Sequence, residues 1–444
     1  MTDSRRNGWR FPVLIAGAML GAVLSNLPAT PVAAAAPNYQ DNPAIIDKLR
    51  RLQPGSAVSL GKARVTGKHI KAWAKRFRNG PYVRDFCRKM PYMPDRGTAF
   101  YAGANHGSPH RFNDAWEYHL GSNTWHLLFP PDGGDHRVFR KYRMNVKKKR
   151  EVEKNTEALK AWFDKNVVFR DGTLQTRKGG PLAPWHTWDG ITYDRHSKRA
   201  MWAVLSTKKG LLGLYAEMTG RDLGAMQKAY SPGSGLWMFD FEKGHWIRQT
   251  GTQVNPKMIG MGGTLEYIPE LGASFWFAAS WRDDEGGWLY DDVKNTWRRL
   301  QINGRRKFYG KNSLKPGKDL APPQEMQSAY SSRHRKLVAV RDGGAWVYDI
   351  DRNTWKLVAR DRRIRAHDAR TVFVYDSKND VFLLADYRDR SLYAFSLLST
   401  AWTRIKPNGA PVPKARAAGF YDEQHDVFVL AGEKGKVWVY RHGG

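Results

Sequence analysis

Large apolar residues alternate with polar ones in short runs along most of this chain, and the runs stop at clusters of Asn, Asp, Gly, Ser or Thr. Alternation with a period of two, bounded by turn residues, predicts β-hairpins. One hairpin recurs with a fixed internal distance. It reads Trp116-Glu117-Tyr118 to Trp125, Trp237-Met238-Phe239 to Trp246 and Trp288-Leu289-Tyr290 to Trp297. It continues as Trp346-Val347-Tyr348 to Trp355 and Tyr393-Ala394-Phe395 to Trp402, and the marker aromatics stand nine residues apart each time. The turns between them are Gly121-Ser122-Asn123-Thr124, Lys294-Asn295-Thr296 and Arg352-Asn353-Thr354.

A second hairpin precedes the aromatic one. Its turns are Tyr193-Asp194-Arg195-His196-Ser197-Lys198, Tyr375-Asp376-Ser377-Lys378-Asn379-Asp380 and Tyr421-Asp422-Glu423-Gln424-His425-Asp426. Looser copies occur at Met93-Pro94-Asp95-Arg96, Tyr267-Ile268-Pro269-Glu270 and Tyr330-Ser331-Ser332-Arg333. Four short strands per unit of roughly 45 to 50 residues match the blade of a propeller, whose units bury their faces only by stacking. Third strands at Trp116, Trp237, Trp288, Trp346, Tyr393 and Trp438 predict six blades. The last unit ends at Val437-Trp438-Val439-Tyr440-Arg441, before a fourth strand. An open edge is a pairing hazard, so the missing strand is expected from Ala57-Val58-Ser59-Leu60 or the following Ala63-Arg64-Val65. The alternative is an open last blade covered by a loop.

The Tyr-Asp turns, the glycine pairs Gly286-Gly287 and Gly343-Gly344, and the Trp…Asn-Thr-Trp hairpins resemble the kelch repeat and the central domain of galactose oxidase. The resemblance covers most of the chain after about residue 84. It implies a kelch-type propeller; together with the strand count this gives an all-β, six-bladed fold closed by an N-terminal strand, and the gaps between motifs place helical or irregular insertions on one face, at about 130–183 and 206–234. It does not specify activity, because this fold serves both enzymes and binding scaffolds.

The N-terminus changes the picture. Arg5-Arg6, an apolar run from Phe11 to Leu24 and Ala33-Ala34-Ala35-Ala36 read as a secretory signal peptide over residues 1–36, leaving the propeller as 37–444. The apolar run is short for a membrane span, so no transmembrane segment is expected after processing, and the mature chain is expected outside the cytoplasm, secreted or in the cell envelope. Ser4-Arg5-Arg6 hints at twin-arginine export, but Gly8-Trp9 stands where that motif carries a hydrophobic pair. Cys87 is the only cysteine, so no intrachain disulfide forms.

Formal net charge is +31 over 444 residues. Basic residues crowd Lys62 to Lys89 and Arg137 to Lys178, a field that attracts polyanions. Export disfavours nucleic acid and favours an anionic glycan or cell-wall polymer, bound by a monomer. The run from Val146 to Lys165, with Glu151, Glu153 and Glu157 interspersed, reads as a solvated helix.

In a four-stranded meander, the first-to-second and third-to-fourth turns lie on one face of the disc. The second-to-third loops and the links between blades lie on the other, which gathers every long insertion. Loops elaborated on a rigid scaffold are where binding and catalysis concentrate. On that decorated face the candidate binding residues are Asn105, Arg111, Trp185, Trp188, Arg282, His367, Asp368, Arg370, Arg388 and Arg416. Arginine forks suit carboxylate or sulfate, and the tryptophans would stack on sugar rings. An alternative is a uronate lyase, which needs a base, a cation to neutralise the carboxylate, and an acid at the leaving oxygen. His106, His110 or His186 would be the base, Arg111 or Arg282 the neutraliser, and Tyr387 or a second histidine the acid. The copper centre of galactose oxidase needs a cysteine crosslinked to tyrosine. Cys87 is expected on the inner strand of the first blade, and no matching Tyr-His pair stands on the rim, so neither metal nor other cofactor is expected.

Overall fold

The computed structural model describes residues 37–84, 86–104, 112–133, 156–182, 184, 187–204, 209–229, 235–250, 256, 262–278, 286–302, 322–323, 325–366 and 370–443. The expected signal peptide lies outside these residues. Six sheets carry the fold, each built around four consecutive antiparallel neighbours. Blade 1 comprises Tyr92–Met93, Thr98–Tyr101, Ala115–His119 and Thr124–Phe129, and blade 2 comprises Ile191–Asp194, Arg199–Ala203, Leu236–Asp240 and His245–Arg248. Blade 3 runs through Thr264–Ile268, Ala273–Ala278, Gly286–Asp291 and Thr296–Leu300, and blade 4 through Gln327–Ser331, Lys336–Arg341, Gly344–Asp349 and Thr354–Arg360. Blade 5 holds Thr371–Asp376, Val381–Asp386, Ser391–Ser396 and Ala401–Ile405. Blade 6 holds Ala417–Asp422, Val427–Gly432 and Lys436–Tyr440, and its fourth strand is Ser56–Lys62 from the other end of the chain. That strand pairs antiparallel with the last one, Ala57 opposite Tyr440 and Ser59 opposite Trp438. The molecule is a six-bladed β-propeller.

The core is divided among the interfaces between blades. Phe100 and Phe129 of blade 1 pack with Tyr193 and Trp202 of blade 2. Met201 and Met238 meet Trp276 and Tyr290, and Phe275 and Phe277 meet Trp346 and Tyr348. Val338 and Val340 pack with Phe373 and Phe382, and Leu383 and Leu392 with Phe428 and Trp438. Phe420 and Val429 return to Tyr101 and Trp116 of blade 1. Each flat sheet thus buries both faces, which is why wide aromatic side chains recur at fixed strand positions.

The turn residues have equally local reasons. Asn123, Asn295 and Asn353 sit at φ of 48°, 51° and 53°, the left-handed region that asparagine tolerates better than bulkier residues. Each accepts a hydrogen bond from the tyrosine five positions earlier: Tyr118 to Asn123 at 2.8 Å, Tyr290 to Asn295 at 3.0 Å, and Tyr348 to Asn353. The same spacing locks the other hairpin, where Tyr375 donates to Asp380 at 2.7 Å and Tyr421 to Asp426 at 2.8 Å. In these turns the aspartate after tyrosine accepts backbone NH groups, as Asp422 does from His425 at 2.8 Å.

The first strands ring the axis, and each contributes one tyrosine whose hydroxyl reaches the first turn of the preceding blade. Tyr193 donates to Asp95 at 2.7 Å and Tyr330 to Glu270 at 2.6 Å. Tyr92 hydrogen-bonds with the backbone of Gln424, Tyr267 with the backbone of His196, Tyr375 with Ser331, and Tyr421 with Asp376. Burial, foremost, lifts all six phenols above their ordinary value. They stay neutral.

Two sequence expectations change. The inner strand of blade 1 is only Tyr92–Met93, preceded by an isolated bridge from Lys89 to Gly419, so Cys87 lies before the strand in an irregular buried segment. Of the run from Val146 to Lys165, residues 146–155 lie outside the described residues; a helix spans Thr156–Asn166, and it is not solvated all round. Leu159, Trp162 and Phe163 form one apolar face and pack with Leu212 and Tyr215 of the helix Lys209–Thr219.

Candidate functional site

Asn105, His106, His110, Arg111, Trp185, His186, Arg282, His367 and Asp368 lie outside the described residues. The others on the decorated face are visible, and their surroundings redefine what each can do. Trp188 is 4 % exposed, its backbone has φ of 47°, and its ring lies 6.3 Å from that of Phe86. It packs inward and offers no open face to a sugar. Arg370 is held by Asp386 at 2.9 Å and Asp389 at 2.7 Å, so its fork is committed within its own blade. Burial lowers its affinity for the proton, but those carboxylates outweigh the effect and raise it. Arg388 and Arg416 are exposed. The Arg388 side chain has no ion-pair partner among the described residues.

Tyr387 is 4 % exposed. The Arg88 guanidinium donates to its hydroxyl at 3.0 Å and lies 5.4 Å from its ring centroid. The backbone NH of Tyr387 donates to the Arg370 carbonyl at 3.3 Å. Trp188 and Tyr387, from blades 2 and 5, are therefore linked through one segment, Phe86 to Lys89.

That segment, with Arg84 just before it, carries charged groups that sequence reasoning missed. Arg84 is fully buried and pairs with Asp114, which also accepts from the Trp116 indole at 2.6 Å. Lys89 reaches across the axis to Asp189 of blade 2 at 3.1 Å and Glu266 of blade 3 at 2.6 Å, and donates to the Leu265 carbonyl at 2.9 Å. Ser328 of blade 4 donates its hydroxyl to both carboxylates at 3.0 Å. Burial pulls the Lys89 ammonium down, but Asp189 and Glu266 outweigh it and leave it above its ordinary value. Burial raises the Asp189 carboxyl against the pull of Lys89, and lifts Glu266 to about 7. Lys89 closes the long basic run beginning at Lys62, and nothing in its local pattern separates it from the solvated lysines before it.

Those lysines are on the helix Ile70–Phe77 and its flanks. Phe77 is buried and meets the Trp116 ring at 5.1 Å, while Arg76 lies 4.4 Å from the ring centroid of Phe112 in the second-to-third loop of blade 1. The helix is thereby fixed beside the decorated face. Lys68, Lys71, Lys75 and Arg78 are exposed, and none has an ion-pair partner among the described residues. Burial, then Lys68 and Lys178, lowers the pKa of His69. Lys178, at the end of the second basic segment, thus lies within electrostatic reach of the first. Among the described residues no group of His, Cys, Asp and Glu is arranged to hold a metal ion, and no helix is long and apolar enough to cross a membrane.

No protein-family model matches the chain, and no curated protein does. The kelch resemblance therefore rests on the turn and hairpin motifs alone. Among solved structures, the chain is similar to an auxiliary nutrient binding protein from Bacteroides thetaiotaomicron VPI-5482, with a TM-score of 0.41 and 10% identity over 80% of this chain and 68% of that one. It is also similar to an auxiliary nutrient binding protein from Bacteroides ovatus ATCC 8483, with a TM-score of 0.44 and 7% identity over 86% of this chain and 76% of that one. Overlap at this level bears on neither ligand nor activity.

Proposed function

We propose that the chain is an exported kelch-type propeller, freed of residues 1–36, whose decorated face binds an anionic polysaccharide or another acidic cell-surface polymer as a monomer. The observation that supports this most directly is the surface of the helix Ile70–Phe77 and its flanks. Lys68, Lys71, Lys75 and Arg78 are exposed without carboxylate partners among the described residues, and Arg76 between them lies over Phe112. Unpaired cations at that density attract polyanions, and their effect weakens as salt screens them. Arg388 and Arg416 would extend the contact around the rim.

The test is retention of the mature protein on heparin and alginate resins along a salt gradient. The wild type should elute late, and Lys71→Glu/Lys75→Glu/Arg78→Glu should elute at clearly lower salt. Elution insensitive to salt, or a triple variant that runs with the wild type, would refute the reading. One contact keeps the lyase alternative in view: an arginine already sits on the Tyr387 hydroxyl, a pairing that suits an acid beside a substrate carboxylate. It ranks second because Tyr387 is nearly enclosed. Prolonged incubation with uronate polymers should then raise the ultraviolet absorbance of an unsaturated product, and a flat trace across the panel removes it.

A further inference from the structure

Opposite the decorated face, the axis holds a cavity of about 370 Å³ that opens among the first-to-second turns. Its wall includes the six ring tyrosines, Tyr92, Tyr193, Tyr267, Tyr330, Tyr375 and Tyr421, one from each blade. Lys89, Glu266 and Ser328 form its inner end, and Arg195, Ser332, Ser377 and Glu423 its mouth. We propose that this cavity is a binding site for a small neutral polyhydroxylated molecule, of the size of one or two sugar rings.

Charge decides against an ionic ligand. At the mouth Arg195 and Glu423 neutralise each other at 2.6 Å. At the inner end Lys89 is matched by Asp189 and Glu266. Glu266, lifted to about 7, carries only part of a charge near neutral pH. An anion would lose its hydration and meet no net positive charge, and a cation would meet only the partial charge on Glu266. Hydroxyl groups find more. Lys89 and Ser328 both engage Glu266 Oε1, and Oε2 has no hydrogen-bond partner among the described residues. The Ser332 and Ser377 hydroxyls are likewise without a partner among them. Donors and acceptors thus stand at both ends of a tyrosine wall. The phenol hydroxyls are already occupied by neighbouring turns, so the wall presents ring carbon, which suits the C–H surface of a pyranose. The volume is near the lower end of the roughly 300–1,000 Å³ of small-molecule sites. Polar ends and an aromatic wall are the combination that orients a sugar.

The site is independent of the basic surface on the other face, and the experiment separates them. Calorimetric titration of the mature protein with D-glucose, D-galactose, D-mannose, D-xylose and cellobiose, alongside D-glucuronate, should give saturable binding of at least one neutral sugar. That affinity should not fall as salt is raised. Ser377→Trp, which places an indole at the mouth from an exposed position, should weaken it about tenfold or more, and Glu266→Gln should weaken it through loss of the acceptor. Heparin retention should be unchanged in both variants. The proposal is overturned by no saturable binding of any neutral sugar up to about 50 mM, by preference for glucuronate, or by full affinity in Ser377→Trp. If Glu266→Gln does not fold, the Ser377→Trp result decides alone.

Discussion

Replacing Lys89 with methionine tests how the axis is held together. The substitution keeps most of the aliphatic stem and removes the ammonium, which bridges Asp189 at 3.1 Å, Glu266 at 2.6 Å and the Leu265 carbonyl at 2.9 Å. Below pH 7 Glu266 is largely protonated in the native wild type, because burial has lifted it to about 7. There the variant loses mainly the ion pair to Asp189 and the bond to the carbonyl, about 2–3 kcal/mol. Above pH 7 the wild type ionises Glu266 against Lys89. The variant has no such partner, and its Glu266 keeps the proton to higher pH. Both native pKa values exceed the unfolded one, so both proteins lose stability as pH rises, but the variant loses it over a wider range. The gap between them therefore widens above pH 7 by up to about 1.4 kcal/mol per pH unit. By pH 9 it should approach about 5 kcal/mol. Lys89 stays charged over this range, since its own pKa is raised. Urea unfolding followed by tryptophan fluorescence at pH 6 and pH 9 measures both values. In a Glu266→Gln background the effect of Lys89→Met should not change over the same interval. A gap below about 1 kcal/mol at pH 9, or one that does not grow with pH, would refute the bridge.

The tyrosine ring predicts an order of effects. Tyr193→Phe removes a part-buried bond to Asp95 and should cost about 1–2 kcal/mol, whereas Tyr330→Phe, whose bond to Glu270 is exposed, should cost about 0.5 kcal/mol; equal losses in urea unfolding would show that burial does not set their value. A chain beginning at Ala63 leaves the strand Lys436–Tyr440 without its neighbour Ser56–Lys62. It should associate or precipitate as concentration rises in light scattering, and a stable soluble monomer would show that the N-terminal strand is dispensable.

The fold was legible because each repeated motif does its work within one hairpin. The Trp markers at 116, 237, 288, 346 and 438, with Tyr393, all fall on third strands. The Asn-Thr turns recur because the asparagine takes the left-handed residue and the tyrosine hydroxyl together, a constraint within six residues of chain. The meaning of the Tyr-Asp turn was only half legible. Its aspartate closes the local turn, but its tyrosine reaches a different blade, as Tyr193 reaches Asp95 and Tyr330 reaches Glu270. A local pattern carries the residue and not its distant partner.

The axis shows why site chemistry was harder to read than fold. Lys89, Asp189, Glu266 and Ser328 come from four blades and meet only because the first strands converge. No spacing in the sequence links them, and Lys89 ends a run whose other lysines are solvated. Hydropathy gives the same reading for side chains with opposite fates: Lys71 and Lys75 face water on the helix Ile70–Phe77, while Lys89, fourteen residues after Lys75, is almost enclosed between two carboxylates. The aromatic content misleads in the same way. Trp188 has the type expected of a sugar platform, yet its ring is spent on Phe86, whereas the aromatic wall that does border open space is made of tyrosines chosen by the sequence pattern as turn residues. In a propeller, a first-strand residue next to a turn can serve as a turn lock, a blade-to-blade latch and a channel wall at once. If both proposals hold, the two faces divide the recognition chemistry, with exposed cations of the helix Ile70–Phe77 and its flanks on one side and phenol rings on the other. A ligand's response to salt tells which side it uses.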